Sequence, residues 1–271
     1  MQKNLFDISN KVVAMTGATG VLGSCAAKYL AEQGAIVALL GRSESEGQAL
    51  EKSITDKGGK AKAFTCDVLD EQRMQAVCDE VVNAFGRVDI LINAAGGNKP
   101  GATIPPDKTF LDINTGDFND VLRLNLIGTL IPTKAFAKAM VEQGEGCVLN
   151  FSSVSSLRPL SRVFGYSSAK AAVNNLTQFL AAEMASKYGE KIRVNAIIPG
   201  FFLTDQNRTL LTNPDGSYTD RANAIIRQTP FARFGQPEEL CGCIHYLISD
   251  ASKFVTGTTS VVDGGFSAFA I

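Results

Sequence analysis

The sequence predicts an α/β protein built on a doubly wound, seven-stranded parallel sheet with helices on both faces. Short apolar runs alternate with amphipathic stretches along the chain, as strands and helices do in repeated right-handed crossovers. A glycine-rich turn follows the first apolar run. The 271 residues, 45% of them hydrophobic, suffice to bury one large core, so we expect residues 1–271 to form a single domain.

Seven short apolar runs stopped by turn or polar residues are predicted as buried strands. They cover residues 11–16, 35–40, 61–66, 88–93, 147–152, 192–198 and 259–263. Amphipathic stretches predict helices near 21–33, 44–57, 70–85 and 237–249, a long helix after residue 114, and a helix through 164–174. Residues 199–236, rich in proline and glycine, break the alternation. A connection of that length is typical of a binding loop, and we expect it to be a substrate-binding lid.

Charge and composition exclude several classes of protein. The 26 basic and 27 acidic residues give a net charge of −1, so no basic surface for nucleic acid is predicted. No apolar run approaches the ~20 residues that cross a bilayer, and the N-terminus lacks a signal core. We therefore expect a cytoplasmic protein with no membrane partner. The six cysteines form no CxxC pair and His245 is the single histidine, so no metal site is predicted.

The stretch MTGATGVLGS follows the first strand and opens the first helix. Its three glycines, Gly17, Gly20 and Gly23, permit a tight turn, close approach of the backbone to a diphosphate and close helix packing. The free amides and positive dipole end of the following helix attract phosphate groups. We therefore predict a dinucleotide-binding loop. Its predicted contacts are Gly17, Thr19, Gly20, Val21 and Leu22.

Further cofactor contacts are predicted at the carboxyl ends of other strands, where doubly wound sheets bind ligands. Asp67 can accept from an adenine amino group, although capping the helix near residue 70 is an equally good role for it. The small side chains of NAAGG leave room for an adenosine. The predicted residues are Asp67, Val68, Asn93, Ala94, Ala95, Gly96, Pro199, Gly200, Phe202 and Thr204.

The end of the second strand bears on the choice of dinucleotide. NAD-binding proteins usually place a carboxylate there, against the ribose hydroxyls. This sequence has Gly41 at that place, followed by Arg42 and Ser43. A missing acid beside a guanidinium suits a 2′-phosphate, so we expect NADP(H) to be favoured, with NAD(H) possible. The alternative for Arg42 is a solvated position in the loop.

Tyr166 and Lys170 stand four positions apart in the predicted helix, which places both on one face about one turn from each other. Taken alone, the pair also fits a packed tyrosine and a solvated lysine. Their context favours chemistry. The order and spacing of TGATGVLG, NAAG, LRLNLIG, NFSSVSS, YSSAK, VNAIIPG and VVDGG resemble those of the short-chain dehydrogenase/reductases over nearly the whole chain.

The resemblance implies a Rossmann fold, oxidoreductase activity and a catalytic set of Asn125, Ser153, Tyr166 and Lys170. A free tyrosine has a pKa near ~10. In the family's mechanism a lysine ammonium lowers it, so that the phenol exchanges a proton with the substrate oxygen as hydride moves to or from the nicotinamide. Ser153 then binds the substrate oxygen, Lys170 and Tyr166 contact the cofactor, and Asn125 holds a water.

One departure from the family's pattern concerns the glycine loop. The family's usual motif is TGxxxGxG, and Val21 stands at its middle glycine, with Gly20 one residue earlier. We expect the turn over the diphosphate to differ in detail.

Amides and cations near the predicted active-site mouth suit a polyhydroxylated carboxylate, because arginine binds carboxylates with two hydrogen bonds. For any single arginine, solvation or a subunit contact is an alternative. Within the family, the segments GVLG, NAAGGN and FFLTDQNR resemble the branch that interconverts D-mannonate and D-fructuronate. The predicted substrate contacts are Asn98, Arg158, Gln206, Asn207 and Arg208, with Ser153 and Tyr166.

Two other functions fit the same residues. One is a related sugar or polyol reductase, such as a gluconate 5-dehydrogenase. The other is a dinucleotide-binding protein without turnover, which the complete catalytic set argues against. The resemblance also implies a homotetramer or dimer, and no metal.

Overall fold

The computed structural model describes residues 4–204, 208 and 211–268. Its seven strands form one parallel sheet in the order β3-β2-β1-β4-β5-β6-β7. The strands are β1 Val12–Thr16, β2 Ile36–Gly41, β3 Lys60–Thr65, β4 Ile90–Asn93, β5 Gly146–Phe151, β6 Ile192–Pro199 and β7 Thr259–Val262. The prediction of a seven-stranded parallel sheet is confirmed, with strand ends displaced by no more than two residues.

Helices cover both faces because each crossover must return the chain to the same edge of the sheet. We number them α1 Val21–Glu32, α2 Glu44–Thr55, α3 Glu71–Phe85, α4 Thr115–Leu122, α5 Gly128–Gln143, α6 Phe164–Tyr188, α7 Asp220–Gln228 and α8 Cys241–Ile248. No helix in the described ranges is long and apolar enough to cross a membrane.

The alternating side chains of the strands build two cores, one on each face of the sheet. On one face Met15 and Leu149 pack with Leu30 of α1 and Ile244 of α8. On the other face the strands pack against α3, α5 and α6, where Phe136 is fully buried. Every residue of β1 and β4 is buried, which is why both read as continuous apolar runs in the sequence.

The strand order reverses between β1 and β4, which opens a crevice at their carboxyl ends. Thr16 and Asn93 are paired in register at this edge. The backbone amide of Ala94 donates to the Thr16 carbonyl at 3.3 Å, and that of Ala95 to the Thr16 hydroxyl at 3.2 Å. The loops after β1 and β4 therefore leave the sheet side by side.

The long helix predicted after residue 114 is interrupted. A π-helical segment, Arg123–Ile127, separates α4 from α5 and contains Asn125. Such π segments are frequent at functional sites because the wider turn redirects side chains and backbone carbonyls. The single-helix prediction is therefore wrong at the position of a predicted catalytic residue.

A polar ladder runs beneath α5 and α6 in the core, formed by Thr133, Asn93, Asn150 and Thr177. The Asn93 side-chain amide donates to the Thr133 hydroxyl and to the Asn150 side-chain oxygen, both at 2.9 Å. The Asn150 amide donates to the Thr177 hydroxyl, also at 2.9 Å. All four residues are at most 2% exposed, so each bond replaces water that is excluded from the site.

Candidate active site

Tyr166 lies in the first turn of α6, and Lys170 lies one turn later on the same face. The Lys170 Nζ atom is 5.6 Å from the centre of the Tyr166 ring. Lys170 is only 3% exposed, and its Nζ donates to the carbonyl oxygen of Phe151 at the end of β5, at 2.7 Å. The predicted shared face is confirmed, and the lysine is a core residue rather than a solvated one.

Burial sets the pKa values of this pair. It lowers the pKa of Lys170 to about 8, because a buried ammonium loses its hydration. Burial also raises the pKa of Tyr166 above its ordinary value, and a hydrogen bond with the Ser153 side chain opposes that rise. The expectation that Lys170 lowers the pKa of Tyr166 is therefore not met by the protein's own groups, since desolvation of the phenolate outweighs the Ser153 hydrogen bond.

Ser153 reaches the tyrosine from the loop after β5. It caps a short 3-10 turn, Val154–Ser156, where its hydroxyl accepts from the backbone amide of Ser155 at 3.3 Å. The Ser155 hydroxyl also donates to it, at 3.1 Å. These two donors orient the Ser153 oxygen while it bonds the Tyr166 side chain.

Asn125 is fully buried and is held by the loop after β4. Its side-chain amide donates to the carbonyl of Gly97 at 2.7 Å and to that of Val121 at 2.8 Å. The Gly97 amide donates back to the Asn125 side-chain oxygen at 3.2 Å. Gly97 was missed at the sequence level, although it stands beside the predicted Gly96 in NAAGG.

Gly96 joins the two halves of the site. A Cβ atom at this position would lie 2.6 Å from the Asn125 side-chain oxygen and 3.3 Å from the Lys170 Nζ atom. The residue must therefore lack a side chain, because Asn125 and Lys170 both lie against the position that a Cβ atom would take. The structure brings all four predicted catalytic residues to the carboxyl ends of β4 and β5.

The loop between β1 and α1 fits a diphosphate. Gly17 has a φ of +65°, and a Cβ there would lie 2.7 Å from the backbone of Ala94. A Cβ at Gly23 would overlap the Gly17 carbonyl oxygen. Gly20 is the N-cap of α1, without a side-chain cap or an acid in the first turn, so the helix amides face the crevice without an internal acceptor. Thr19, Val21 and Leu22 are partly exposed along this loop.

The predicted cofactor residues after β3 and at the end of β4 differ in exposure. Asp67 is exposed after β3, and its side chain accepts from the Leu69 amide at 2.9 Å. Asp70, and not Asp67, caps α3. The side chain of Asn93 lies within the core ladder, and Val68 is buried, so any cofactor contact by Asn93 must come from its backbone.

At the end of β2, Arg42 is exposed and Gly41 is partly exposed. The Ser43 hydroxyl caps α2 by accepting from the Glu46 amide at 3.3 Å. A Cβ at Gly41 would contact Thr19 at 3.8 Å, which places the end of β2 beside the glycine loop. This is where the ribose next to the adenine would lie in a doubly wound fold.

The end of β6 completes the crevice. Pro199 is its last residue, and a Cβ at Gly200 would lie 2.6 Å from the Cα of Asp263. Phe202 is buried and forms an isolated parallel bridge with Gly235, while Thr204 is partly exposed.

The predicted substrate residues do not form one cluster. Asn98 donates to the Thr103 hydroxyl at 3.2 Å. Arg158 donates to the Phe266 carbonyl at 2.6 Å and stacks over its ring, with the guanidinium carbon 5.0 Å from the ring centre. Arg208 is exposed. Gln206 and Asn207 lie outside the described residues.

The chain was compared with known proteins. A family model described as enoyl-(acyl carrier protein) reductase matches residues 17–267. A solved structure of a candidate D-mannonate oxidoreductase from Haemophilus influenza with bound NAD is 43% identical, covers 97% of each chain and gives a TM-score of 0.90. The uncharacterized oxidoreductase UxuB of Bacillus subtilis (strain 168) is 40% identical over 97% of each chain.

A gluconate 5-dehydrogenase from Burkholderia cenocepacia J2315, solved in complex with NADP and tartrate, is 32% identical. It covers 98% of each chain with a TM-score of 0.87. Matches over nearly the full length, together with the sheet order and the grouping of Asn125, Ser153, Tyr166 and Lys170, lead to one conclusion: the chain belongs to the short-chain dehydrogenase/reductase family and is an NAD(P)-dependent oxidoreductase.

Proposed function

We propose that this oxidoreductase interconverts a ketone and a secondary alcohol on a sugar acid, with D-fructuronate and D-mannonate as the substrate pair. The observation that carries the substrate is the 43% identity, over 97% of each chain, to the Haemophilus influenza candidate D-mannonate oxidoreductase. The geometry that supports the chemistry is the buried ammonium of Lys170, whose Nζ atom lies 5.6 Å from the centre of the Tyr166 ring. Ser153 acts on the same tyrosine, since its side chain lowers the pKa of Tyr166.

A nicotinamide dinucleotide, when bound, supplies or accepts the hydride. In ketone reduction the Tyr166 hydroxyl gives its proton to the substrate oxygen, and in alcohol oxidation the phenolate takes it back. The raised pKa of Tyr166 keeps the phenol protonated at neutral pH, which suits the reductive direction. Ser153 donates to the same oxygen and stabilises its developing charge.

Lys170 and Asn125 act behind the reacting atoms. The Lys170 ammonium offers two N–H donors besides the one bound to the Phe151 carbonyl, enough to bind a cofactor ribose and to stabilise a phenolate. Asn125 fixes the Gly97 backbone through paired hydrogen bonds. We propose that the π segment leaves the backbone carbonyl of Asn125 able to accept a hydrogen bond from a water. This water would resupply Lys170 with protons.

For the cofactor we propose NADP(H) over NAD(H). The end of β2 presents the exposed Arg42 and no carboxylate, which favours a 2′-phosphate. The related structures hold NAD in one case and NADP in another. The preference therefore depends on this chain's own residues.

Substrate depletion assays test the proposal. We expect the protein to oxidise NADPH, and NADH more slowly, when D-fructuronate is supplied. The alternative substrates are 5-keto-D-gluconate, assayed with NADPH, and D-gluconate and polyols, assayed with NADP⁺. The gluconate 5-dehydrogenase at 32% identity supports them as the second candidate class. Turnover of 5-keto-D-gluconate without turnover of D-fructuronate would select that class. Cofactor binding without reduction of any carbonyl would instead indicate a binding protein.

We also propose a homotetramer, with a dimer as the smaller alternative. Large apolar side chains are exposed on α5 and α6, among them Leu130 at 38% and Phe179 at 63%. Light scattering during gel filtration gives the assembly mass, and a monomer would contradict this proposal. The cytoplasmic location and the lid formed by residues 199–236 stay predictions of the sequence.

A further inference from the structure

Three segments that line the mouth of the site meet at one short stretch, Ser161–Arg162. It lies between β5 and α6, directly before the turn that carries Tyr166. The backbone amide of Ile104, from the loop after β4, donates to the Arg162 carbonyl at 2.9 Å. From the segment after β6, Arg221 of α7 donates to the Ser161 hydroxyl and to the Ser161 carbonyl, both at 3.2 Å.

This arrangement places the Arg221 guanidinium on Ser161, the residue directly before Arg162. Arg221 is partly buried, and its pKa is lowered first by burial and then by the positive charge of Arg162. Within the described part of the chain, neither arginine forms an ion pair with a carboxylate. By contrast, Lys99 of the loop after β4 forms an ion pair with Asp120 at 2.5 Å, and Arg233 forms one with Glu239 at 2.6 Å.

The position of Arg221 adds a further cost. It is the second residue of α7, where the positive end of the helix dipole disfavours a cation. Two like charges, partial desolvation and an adverse dipole all oppose the charged form, and a bound anion would relieve all three. Both arginines offer planar, forked donors that match a carboxylate.

Arg162 is also close to Tyr166 in the sequence. Arg162 stands four residues before Tyr166, which limits the separation of their Cα atoms to about 14 Å even for an extended chain. We infer that Arg162 and Arg221 form the binding site for the carboxylate of a sugar-acid substrate, and so determine specificity for acids over neutral sugars. This inference rests on the proposed function.

The test compares D-fructuronate with the neutral ketose D-fructose, using Arg162→Gln and Arg221→Gln. Charge-assisted hydrogen bonds are lost on the acid only, so the ratio of kcat/KM for D-fructuronate to that for D-fructose should fall about ten- to hundredfold, mainly through KM. The matched control is Arg227→Gln, an exposed arginine on the same helix, which should keep the wild-type ratio. An unchanged ratio in Arg162→Gln and Arg221→Gln would overturn the inference while the proposed reaction stands.

A binding measurement separates this inference from the reaction itself. Calorimetry of D-mannonate with the oxidised-cofactor complex of Tyr166→Phe reports binding without turnover. Loss of that binding on adding Arg162→Gln supports the carboxylate site even if the wild type proves unable to turn over D-fructuronate. Unchanged D-mannonate affinity on adding Arg162→Gln would overturn it. Arg162→Gln also covers the case in which Arg221→Gln fails to fold, because the Arg221 side chain holds Ser161 while Arg162 is held through its backbone carbonyl.

Discussion

The Lys170 Nζ atom donates a 2.7 Å hydrogen bond to the carbonyl oxygen of Phe151, the last residue of β5. The bond fixes the ammonium at the end of the strand, beneath the Tyr166 ring and away from water. Burial there lowers the lysine's pKa to about 8. A lysine with such a pKa should make the free energy of unfolding depend measurably on pH.

We expect the free-energy difference between wild type and Lys170→Met to change with pH. Between about pH 8 and 10.5 the unfolded chain holds a proton on Lys170 that the folded protein has released, so this group makes the wild type more stable as pH rises. The difference should rise by at most about 1.4 kcal/mol per pH unit. Urea unfolding at several pH values measures it.

Lys187→Met provides the control for this experiment. Lys187 lies near the end of the same helix, and its pKa is raised by the Glu183 side chain. The stability difference for Lys187→Met should therefore not rise over the same pH range. A flat difference for Lys170→Met would contradict burial of its ammonium.

Tyr166→Phe removes the proton donor and leaves the ring in place. Because positioned acid–base groups contribute about 10²–10⁴ in rate, we expect kcat to fall by that factor while cofactor affinity is kept. Steady-state assays and nicotinamide fluorescence titration measure the two quantities. Tyr188→Phe, at the exposed end of α6, should retain wild-type kcat. Full activity in Tyr166→Phe would remove the tyrosine from the mechanism.

Gly96→Ala tests the close approach of three site residues. Its new Cβ would press on the Asn125 oxygen at 2.6 Å and approach Lys170 Nζ, so we expect about 1–3 kcal/mol of destabilisation and a loss of activity. Gly242→Ala is the matched control, because nothing lies within 4 Å of a Cβ there. In α8 that change should stabilise the protein by up to about 1 kcal/mol. Thermal unfolding compares the two, and equal shifts would refute the packing argument.

Arg42→Ala should weaken NADPH much more than NADH. Loss of a charge-assisted contact to the 2′-phosphate predicts about a tenfold or greater rise in the KM for NADPH, with the KM for NADH nearly unchanged. Lys52→Ala, an exposed cation on α2, should change neither value. Equal effects of Arg42→Ala on both cofactors would place the arginine in the solvated loop position instead.

The inner strands β1, β2, β4, β5 and β6 could be predicted because a strand buried on both faces is a short apolar run in the sequence. The edge strands β3 and β7 are largely unburied, and their place in the alternation of strands and helices indicated them. The grouping of the candidate catalytic residues could be predicted from the spacing of Ser153, Tyr166 and Lys170 in the sequence. The π segment at Asn125 was not predicted, although Gly128 and Pro132 follow it directly in the sequence. The rise in the pKa of Tyr166 depends on burial, which residue spacing does not reveal.

The carboxylate pair was equally hidden. Arg162 follows Ser153 closely in the sequence, but Arg221 lies 60 residues from its partner Ser161, in the connection after β6. Only the tertiary fold brings Arg221 to the stretch Ser161–Arg162. Arg158, by contrast, looked suitable in sequence, and its contacts with Phe266 could be found only when the end of the chain was placed.

The buried ladder from Thr133 to Thr177 also selects one alignment of the strands. Asn93 and Asn150 are register partners. If β5 slid by a single residue, Asn150 would turn to the opposite side of the sheet. Its own amide would lose the Thr177 hydroxyl, and the Asn93 amide would keep only the Thr133 hydroxyl as an acceptor. A misaligned sheet therefore loses hydrogen bonds next to the strand ends that carry the candidate active-site residues. The register that satisfies the ladder is also the register that sets the spacing of those residues.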